Sequence, residues 1–444
     1  MAAALDSNTP FYLRGNFAPV SEEVTAFDLS VQGKIPEALR GRYVRNGPNQ
    51  RSGAPGHWFV GDGMLHGVEL RDGSARWYRN RWVRTKALAG EGEFVSADGT
   101  VDFTVGVANT HIVEHAGRML ALVESSLPTE VTPELDTVGV YDFAGRLNGS
   151  MTAHPKLCPT TGELHFFGYS FFPPYLVYHV ADAAGNLVHS EPIDVNGPTM
   201  IHDFNVTATR VVFMDLPVVF DLELAMQGTM PYRWDESYGA RLGVLPRRGS
   251  NAETTWYEID PCYVFHPVNA FDDGDAVVID VPRYETLWKE SGDEFNPSPL
   301  WRWRIDPSAG KVSSEQLDER NVEFPRADPR RTGLPYRYHY DVEAGVHGLT
   351  SFKTLVKYDR DDGSAVAHDF GSGRVPGEAV FVPASDDAAE DDGWLMTYVY
   401  DEGRNGSDFV ILDARDLTAA PLAVVPLPQR VPFGFHGSWI RDPS

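Results

Sequence analysis

Cysteine is nearly absent: Cys158 and Cys262 are the only two in 444 residues. Two are too few for a disulfide framework, so both read as buried thiols of a reducing compartment. Long apolar runs are also missing, and none approaches the ~18 residues that a membrane-spanning helix needs. Met1 to Pro10 shows no basic segment followed by an apolar core, so a cytoplasmic location is expected. Positive charge is in deficit. With 63 Asp and Glu against 38 Lys and Arg, the net charge of −25 repels nucleic acid and anionic membranes. No Gly-rich loop has dinucleotide spacing, since GDGMLHG at Gly61 does not fit it, and there is no H-x-H, no H-E-x-x-H and no Cys/His cluster. A metal site in this chain has to be assembled from distant segments.

What is present is turn chemistry. The 41 Gly and 32 Pro are spread throughout, and long amphipathic helices are hard to find, which favours many short strands. A β-rich run, a tight turn and a second β-rich run recur around Gly73, Gly145, Gly185, Gly310 and Gly363, with a degenerate copy, VILDARDLTAAPLAVVPL, near the C-terminus. One missed turn between Gly185 and Gly310 makes five steps from Gly73 to Gly363, about 58 residues each. That spacing predicts some seven four-stranded propeller blades, all-β, in a single domain over 1–444. A pair of β-sandwiches is the alternative on this pattern alone. Two aromatic-rich stretches break the rhythm, Asp221 to Gly249 and Pro282 to Pro299, and long insertions on a rigid scaffold usually cover a site.

Among 14 histidines, four stand apart by context: His154 in TAHPKLCP, His202 in MIHDFNVT, His266 in VFHPVNAF and His436 in FGFHGSW. Each adjoins apolar residues and a β-rich run. Taken singly, a histidine of this kind is more often a hydrogen-bonded core residue. Their separations of 48, 64 and 170 residues, however, equal one, one and three units of about 56. In a propeller, that register points all four at the common axis.

At these residues the chain resembles the carotenoid cleavage oxygenase family over nearly its full length. The resemblance rests on RGRYVRNGPN from Arg40, HWFVGDGMLHGV from His57, ANTHIVEHAGRMLALVESSLP from Ala108, the four histidine motifs in order, GEAVFVP from Gly377 and FGFHGSW from Phe433. It implies a seven-bladed β-propeller with a small dome of helices and loops over the axial site. It also implies one Fe(II) per chain, held by His154, His202, His266 and His436, with Glu124, Glu323 and Glu378 accepting imidazole N–H groups from behind. The implied reaction splits a C=C bond with O₂ into two carbonyls.

The substrate is expected to be a small apolar alkene of carotenoid or apocarotenoid type, which would bring weak peripheral membrane contact. In the resembled family, cleavers of 4-hydroxyphenyl alkenes carry a Lys just before the first glutamate. Here that position is Val123, which cannot ionise a phenol. GNFAPV, RWYRNRWVRT and GVLPRRG nevertheless resemble the bacterial stilbene and phenylpropene (isoeugenol-like) branch, which is the second reading. A non-oxidative ester-cleaving isomerase and a non-catalytic binder of apolar ligands rank below both. Phe59, Trp82, Phe103, Phe171 and Phe172 are candidates to line a substrate tunnel, and Tyr78 to offer a hydroxyl, although each residue type is more often plain packing. No feature specifies an oligomer.

Overall fold

The computed structural model describes residues 9–293, 295–345 and 348–442. Strands dominate because the chain alternates short β-branched and aromatic runs with Asp- and Gly-bearing turns. Seven antiparallel sheets follow one another along the chain. Blade 2 runs His111–His115, Arg118–Leu122, Thr129–Val131, Thr137–Val140, and blade 3 runs Lys156–Leu157, Leu164–Tyr169, Leu176–Ala181, Leu187–Pro192. Blade 4 uses Asn205–Val206, Arg210–Asp215, Arg241–Pro246 and Thr255–Glu258; blade 5 uses Asn269–Asp273, Ala276–Pro282, Leu300–Asp306 and Lys311–Asp318. Blade 6 is Val322–Ala327, Tyr338–Gly345, Gly348–Asp359 and Ser364–Asp369.

The ends of the chain close the ring. Gly437–Arg441 supplies the inner strand of blade 1, pairing antiparallel with Gly41–Pro48, followed outward by Gly63–Arg71, Ser74–Trp82 and Thr25–Phe27. Gln32–Gly33 returns the exchange as the outermost strand of blade 7, beyond Val380–Pro383, Gly393–Asp401, Gly406–Asp413 and Ala423–Pro426. The inner strands of neighbouring blades pack side by side around the axis.

Burial follows position in the blade. Ala276–Pro282, sandwiched between neighbouring sheets, is buried at every residue and reads AVVIDVP, whereas outer Leu187–Pro192 alternates in and out. The core is therefore a set of layers between blades. One joins Tyr43 and Tyr78 of blade 1 to Tyr398 and Phe409 of blade 7.

Four of the expected hairpin tips, Gly73, Gly185, Gly310 and Gly363, each join the third and fourth strands of a blade, counting outward from the axis. Gly185 takes φ 84°, a conformation that favours glycine, while Asp182 accepts from the backbone of Ala184 and Asn186. Gly145 is a correction. Its Asp142-braced turn lies in the connection between blades 2 and 3, outside any hairpin, because Asx turns serve loops as well as hairpins. The missed tip is the turn after Pro246, which carries a Ser250–Glu253 capping box.

The stretch Asp221 to Gly249 is also only partly an insertion. A short helix (Leu222–Met226) and a two-stranded ribbon (Val218–Phe220 with Tyr232–Trp234) leave the blade, but Arg241–Pro246 is the third strand of blade 4. Loops and 3₁₀ turns, rather than helices, cover the site, and the two α-helices among the described residues span four and five residues. No helix among them is long and apolar enough to cross a membrane.

Candidate metal centre

Each of the four histidines stands at the entry to an inner strand. His154 precedes Lys156–Leu157, His202 precedes Asn205–Val206, His266 precedes Asn269–Asp273, and His436 directly precedes Gly437–Arg441. All four are buried, and one ring nitrogen from each lies within 4.8 Å of the others. His202 Nε2 is 3.0 Å from His154 Nε2 and 3.1 Å from His266 Nε2.

The opposite ring nitrogens settle what these contacts are. His202 Nδ1 donates to Glu124 at 2.8 Å, His266 Nδ1 to Glu323 at 2.6 Å, and His436 Nδ1 to Glu378 at 2.8 Å. A neutral imidazole with its proton on Nδ1 has a lone pair on Nε2. With both protons on Nδ1, His202 and His266 face each other lone pair to lone pair at 3.1 Å, an arrangement that fits a cation bound between them. Ligands at right angles around an ion at about 2.1 Å would sit about 3.0 Å apart, against about 3.4 Å in a tetrahedron. The spacings of His202 to His154 and His266 match the first.

His154 differs from the other three. Asp203 approaches its Nδ1 only to 3.7 Å, and Lys156 holds that carboxylate at 2.7 and 2.9 Å. Burial, with the other three imidazoles nearby, pushes His154 well below the ordinary imidazole range. Burial presses His202 down too, but the charge and hydrogen bond of Glu124 outweigh it and leave this ring above its usual value.

The glutamates are themselves held. Glu323 accepts from Tyr284 Oη at 2.8 Å and from the Phe324 amide at 2.8 Å. Glu378 receives both arms of Arg326, at 2.9 and 3.0 Å, and the Gly437 amide at 2.8 Å. Although burial alone would raise Glu378, Arg326 and His436 overcome it and hold the carboxyl far below the usual carboxylate range. Burial, with the charge of Glu124 nearby, pushes the Tyr169 hydroxyl well above its ordinary range.

Two cavities meet at the histidines. One, of about 50 Å³, is lined by Phe59, Val123, Phe265, Phe324 and Phe435, with Thr110 and Glu124 as its polar edge. Trp288 and Phe295, from the stretch read as an insertion over the site, pack on Phe59 at 5.8 and 6.2 Å between ring centroids. The other, of about 510 Å³, is a shaft of mixed lining on His154, His266 and His436 that also touches His111, Lys156, Asp203 and Arg326.

Of the expected substrate residues, Phe59 and Val123 line the apolar chamber, and the other five line neither cavity. Tyr78 is fully buried between blades, bonded to His66 at 2.9 Å. The Trp82 indole donates to the Asn49 carbonyl, and Phe103 packs on the core between blades 2 and 3. Phe171 stacks on Phe220 at 4.8 Å, and Phe172 beside it is 49% exposed. Aromatics fill every layer between blades here, so an aromatic next to a family motif carries little positional information.

The register extends beyond the four histidines, to two glutamates expected from their motifs alone and to His111, which was not expected at all. Glu323 and Glu378 stand at the axial ends of blades 6 and 7, where no histidine does, and His111 opens the inner strand of blade 2. Each blade therefore presents one polar residue to the axis. The steps from His266 through Glu323 and Glu378 to His436 are 57, 55 and 58 residues, a signal that was available in the spacing. Phe265, Phe324 and Phe435 adjoin axial residues in sequence and belong to the same signal. Arg326 carried none.

The profile of the family described as retinal pigment epithelial membrane protein matches residues 17–441. The chain is 43% identical to a carotenoid cleavage oxygenase of Mycobacterium tuberculosis, over 99% of each. It is 32% identical to an isoeugenol monooxygenase of Pseudomonas putida, over 98% of this chain and 99% of that one. The lignostilbene dioxygenase of Pseudomonas brassicacearum has the same fold, with TM-score 0.88, 28% identity, and 98% and 99% coverage. So does the cobalt-substituted apocarotenoid oxygenase of Synechocystis, with TM-score 0.84, 27% identity, and 96% and 97% coverage.

Proposed function

This chain belongs to the carotenoid cleavage oxygenase family, and we propose that it is an Fe(II)-dependent oxygenase cleaving a C=C bond of a carotenoid- or apocarotenoid-like substrate. One iron is held by His154, His202, His266 and His436. The observation that carries the reading is the set of Nε2 lone pairs converging beneath an apolar chamber. Bound iron(II) supplies the electron-transfer chemistry that lets triplet O₂ react with a closed-shell alkene.

The remaining work falls to the chain. Glu124, Glu323 and Glu378 fix the imidazole planes and place compensating charge behind them without occupying ligand positions. Phe59, Phe265, Phe324 and Phe435 exclude water and present only apolar surface to the alkene. At about 50 Å³ the chamber is large enough for a diatomic gas. Converting one alkene and one O₂ into two carbonyls moves four electrons, all from the alkene, and consumes no proton. A chamber whose only carboxylate, Glu124, is already engaged by His202 suits such a reaction.

A second reading, cleavage of stilbenes or phenylpropenes, is supported by the lignostilbene and isoeugenol relatives. Val123 weighs against it, because it puts an aliphatic side chain in the chamber where a phenol would need a partner. Parallel incubations with a β-apocarotenal, resveratrol and isoeugenol, with metal analysis of the same protein, test both. Aldehydes from the apocarotenal and about one iron per chain are expected. Preferential cleavage of resveratrol would transfer the assignment to the second reading, and protein that binds no metal would leave only an apolar-ligand binder.

A further inference from the structure

Arg326 is half-buried at the meeting point of blades 6, 7 and 1, its guanidinium turned onto the fully buried Glu378. Its Nε and Nη2 grip Glu378 at 2.9 and 3.0 Å, and Nη2 also donates to the Gly437 carbonyl at 3.0 Å. His111, whose Nδ1 donates to the Ala153 carbonyl at 2.7 Å, turns its Nε2 lone pair toward the same Nη2 at 3.4 Å. Among the described residues, Arg326 is the one cation that hydrogen-bonds any of the three glutamates. Arg45, a buried cation nearby, donates to the Pro432 carbonyl instead. Lys156 and Asp203 cancel each other within their own pair.

The charge inventory around the histidines is then three carboxylates and one guanidinium, a net of −2 that matches a divalent ion. In a buried site this matters, because charges there are poorly screened. Without Arg326 the same cage carries −3 and matches a trivalent ion. We propose that Arg326 sets the charge of the cage so that the iron rests as Fe(II) rather than Fe(III), acting as a positioning residue through Glu378 and not on substrate. This rests on the proposed four-histidine iron site and adds to it the residue that selects the oxidation state.

The test loads wild-type protein, Arg326→Met, Arg326→Lys, Glu378→Gln and Arg326→Met/Glu378→Gln with Fe(II) under anaerobic conditions and measures iron per chain. Redox titration of each follows, with the high-spin ferric EPR signal as the readout. The expected result is that Arg326→Met raises the ferric-to-ferrous ratio at fixed potential by tenfold or more. Arg326→Lys stays near wild type, Glu378→Gln shifts the ratio the opposite way, and the double variant returns toward wild type. Should Arg326→Met not fold, the sign of the Glu378→Gln shift decides alone. Equal ratios in iron-bearing variants, or a Glu378→Gln shift toward ferric iron, would overturn the inference. Failure of wild-type protein to take up iron would instead overturn the metal reading beneath it.

Discussion

A carboxylate that accepts an imidazole N–H acts on the metal through the ring: it fixes the plane and raises the basicity of the other nitrogen. Glu323 has the shortest such contact, 2.6 Å, and is fully buried. Glu323→Gln keeps its shape and removes its charge, so divalent-metal affinity is expected to fall about 10- to 100-fold with little change in melting temperature, read by competitive chelation. Val123 belongs to the same scale. Val123→Lys places an ammonium in the apolar chamber, and the ratio of resveratrol to apocarotenal cleavage is expected to rise at least tenfold in parallel initial-rate assays. At this scale the histidines and glutamates were legible, because their spacing and flanking motifs agree. Arg326 was not, since an arginine between a proline and an alanine looks the same whether its guanidinium meets water or a buried glutamate. The aromatic candidates fared worst, for a ring such as Tyr78 can fill a layer between blades as readily as a tunnel.

Strands and blades carry their own consequences. Gly437–Arg441 brings the only inner strand of blade 1 and follows His436 directly. Deleting residues 435–444 removes a ligand and the ring closure together, and is expected to abolish metal uptake and broaden the thermal transition, as followed by calorimetry. Between blades 5 and 6, Asp280 accepts from Arg302 at 2.7 and 3.0 Å, Arg360 at 2.7 Å and Tyr336 at 2.6 Å. Burial opposes its ionisation, but Arg302, Arg360 and Tyr336 prevail and hold it below the ordinary value. A depressed carboxylate stabilises the fold above its unfolded pKa and loses that contribution as pH falls through the folded one. Asp280→Asn strands two guanidinium groups, so a loss of about 3–5 kcal/mol at neutral pH is expected in urea titrations, shrinking in acid. The blades were legible as a period of turns, yet not one by one. Blade 4 hides its tip behind a capping box, and the Asp142 turn imitates a hairpin.

The ring also shelters imidazoles outside the four-histidine cluster. Burial, aided in His111 by the charge of Arg326, lowers His57, His111 and His179 to about 4. The unfolded chain takes up these protons near pH 6.5 and the fold refuses them, so stability falls as pH drops from 6.5 toward 4. The slope is on the order of 1.4 kcal/mol per pH unit for each residue. Urea midpoints measured at pH 7, 6 and 5 are expected to fall steadily, and a flat profile would show that these rings protonate in place. Ring closure by both chain ends is also a property of the whole, and no local pattern announced that Gln32–Gly33 and Gly437–Arg441 exchange between blades 7 and 1. The central claim concerns what this closed ring holds and does, and the coupling of metal, O₂ and alkene tests it most directly. Fe(II)-loaded protein, given a β-apocarotenal and limiting O₂, should release two carbonyl products for each O₂ consumed, and His202→Ala should release none. Equal product from the His202→Ala protein, or an iron-loaded protein inert toward polyene, stilbene and phenylpropene alike, would contradict it.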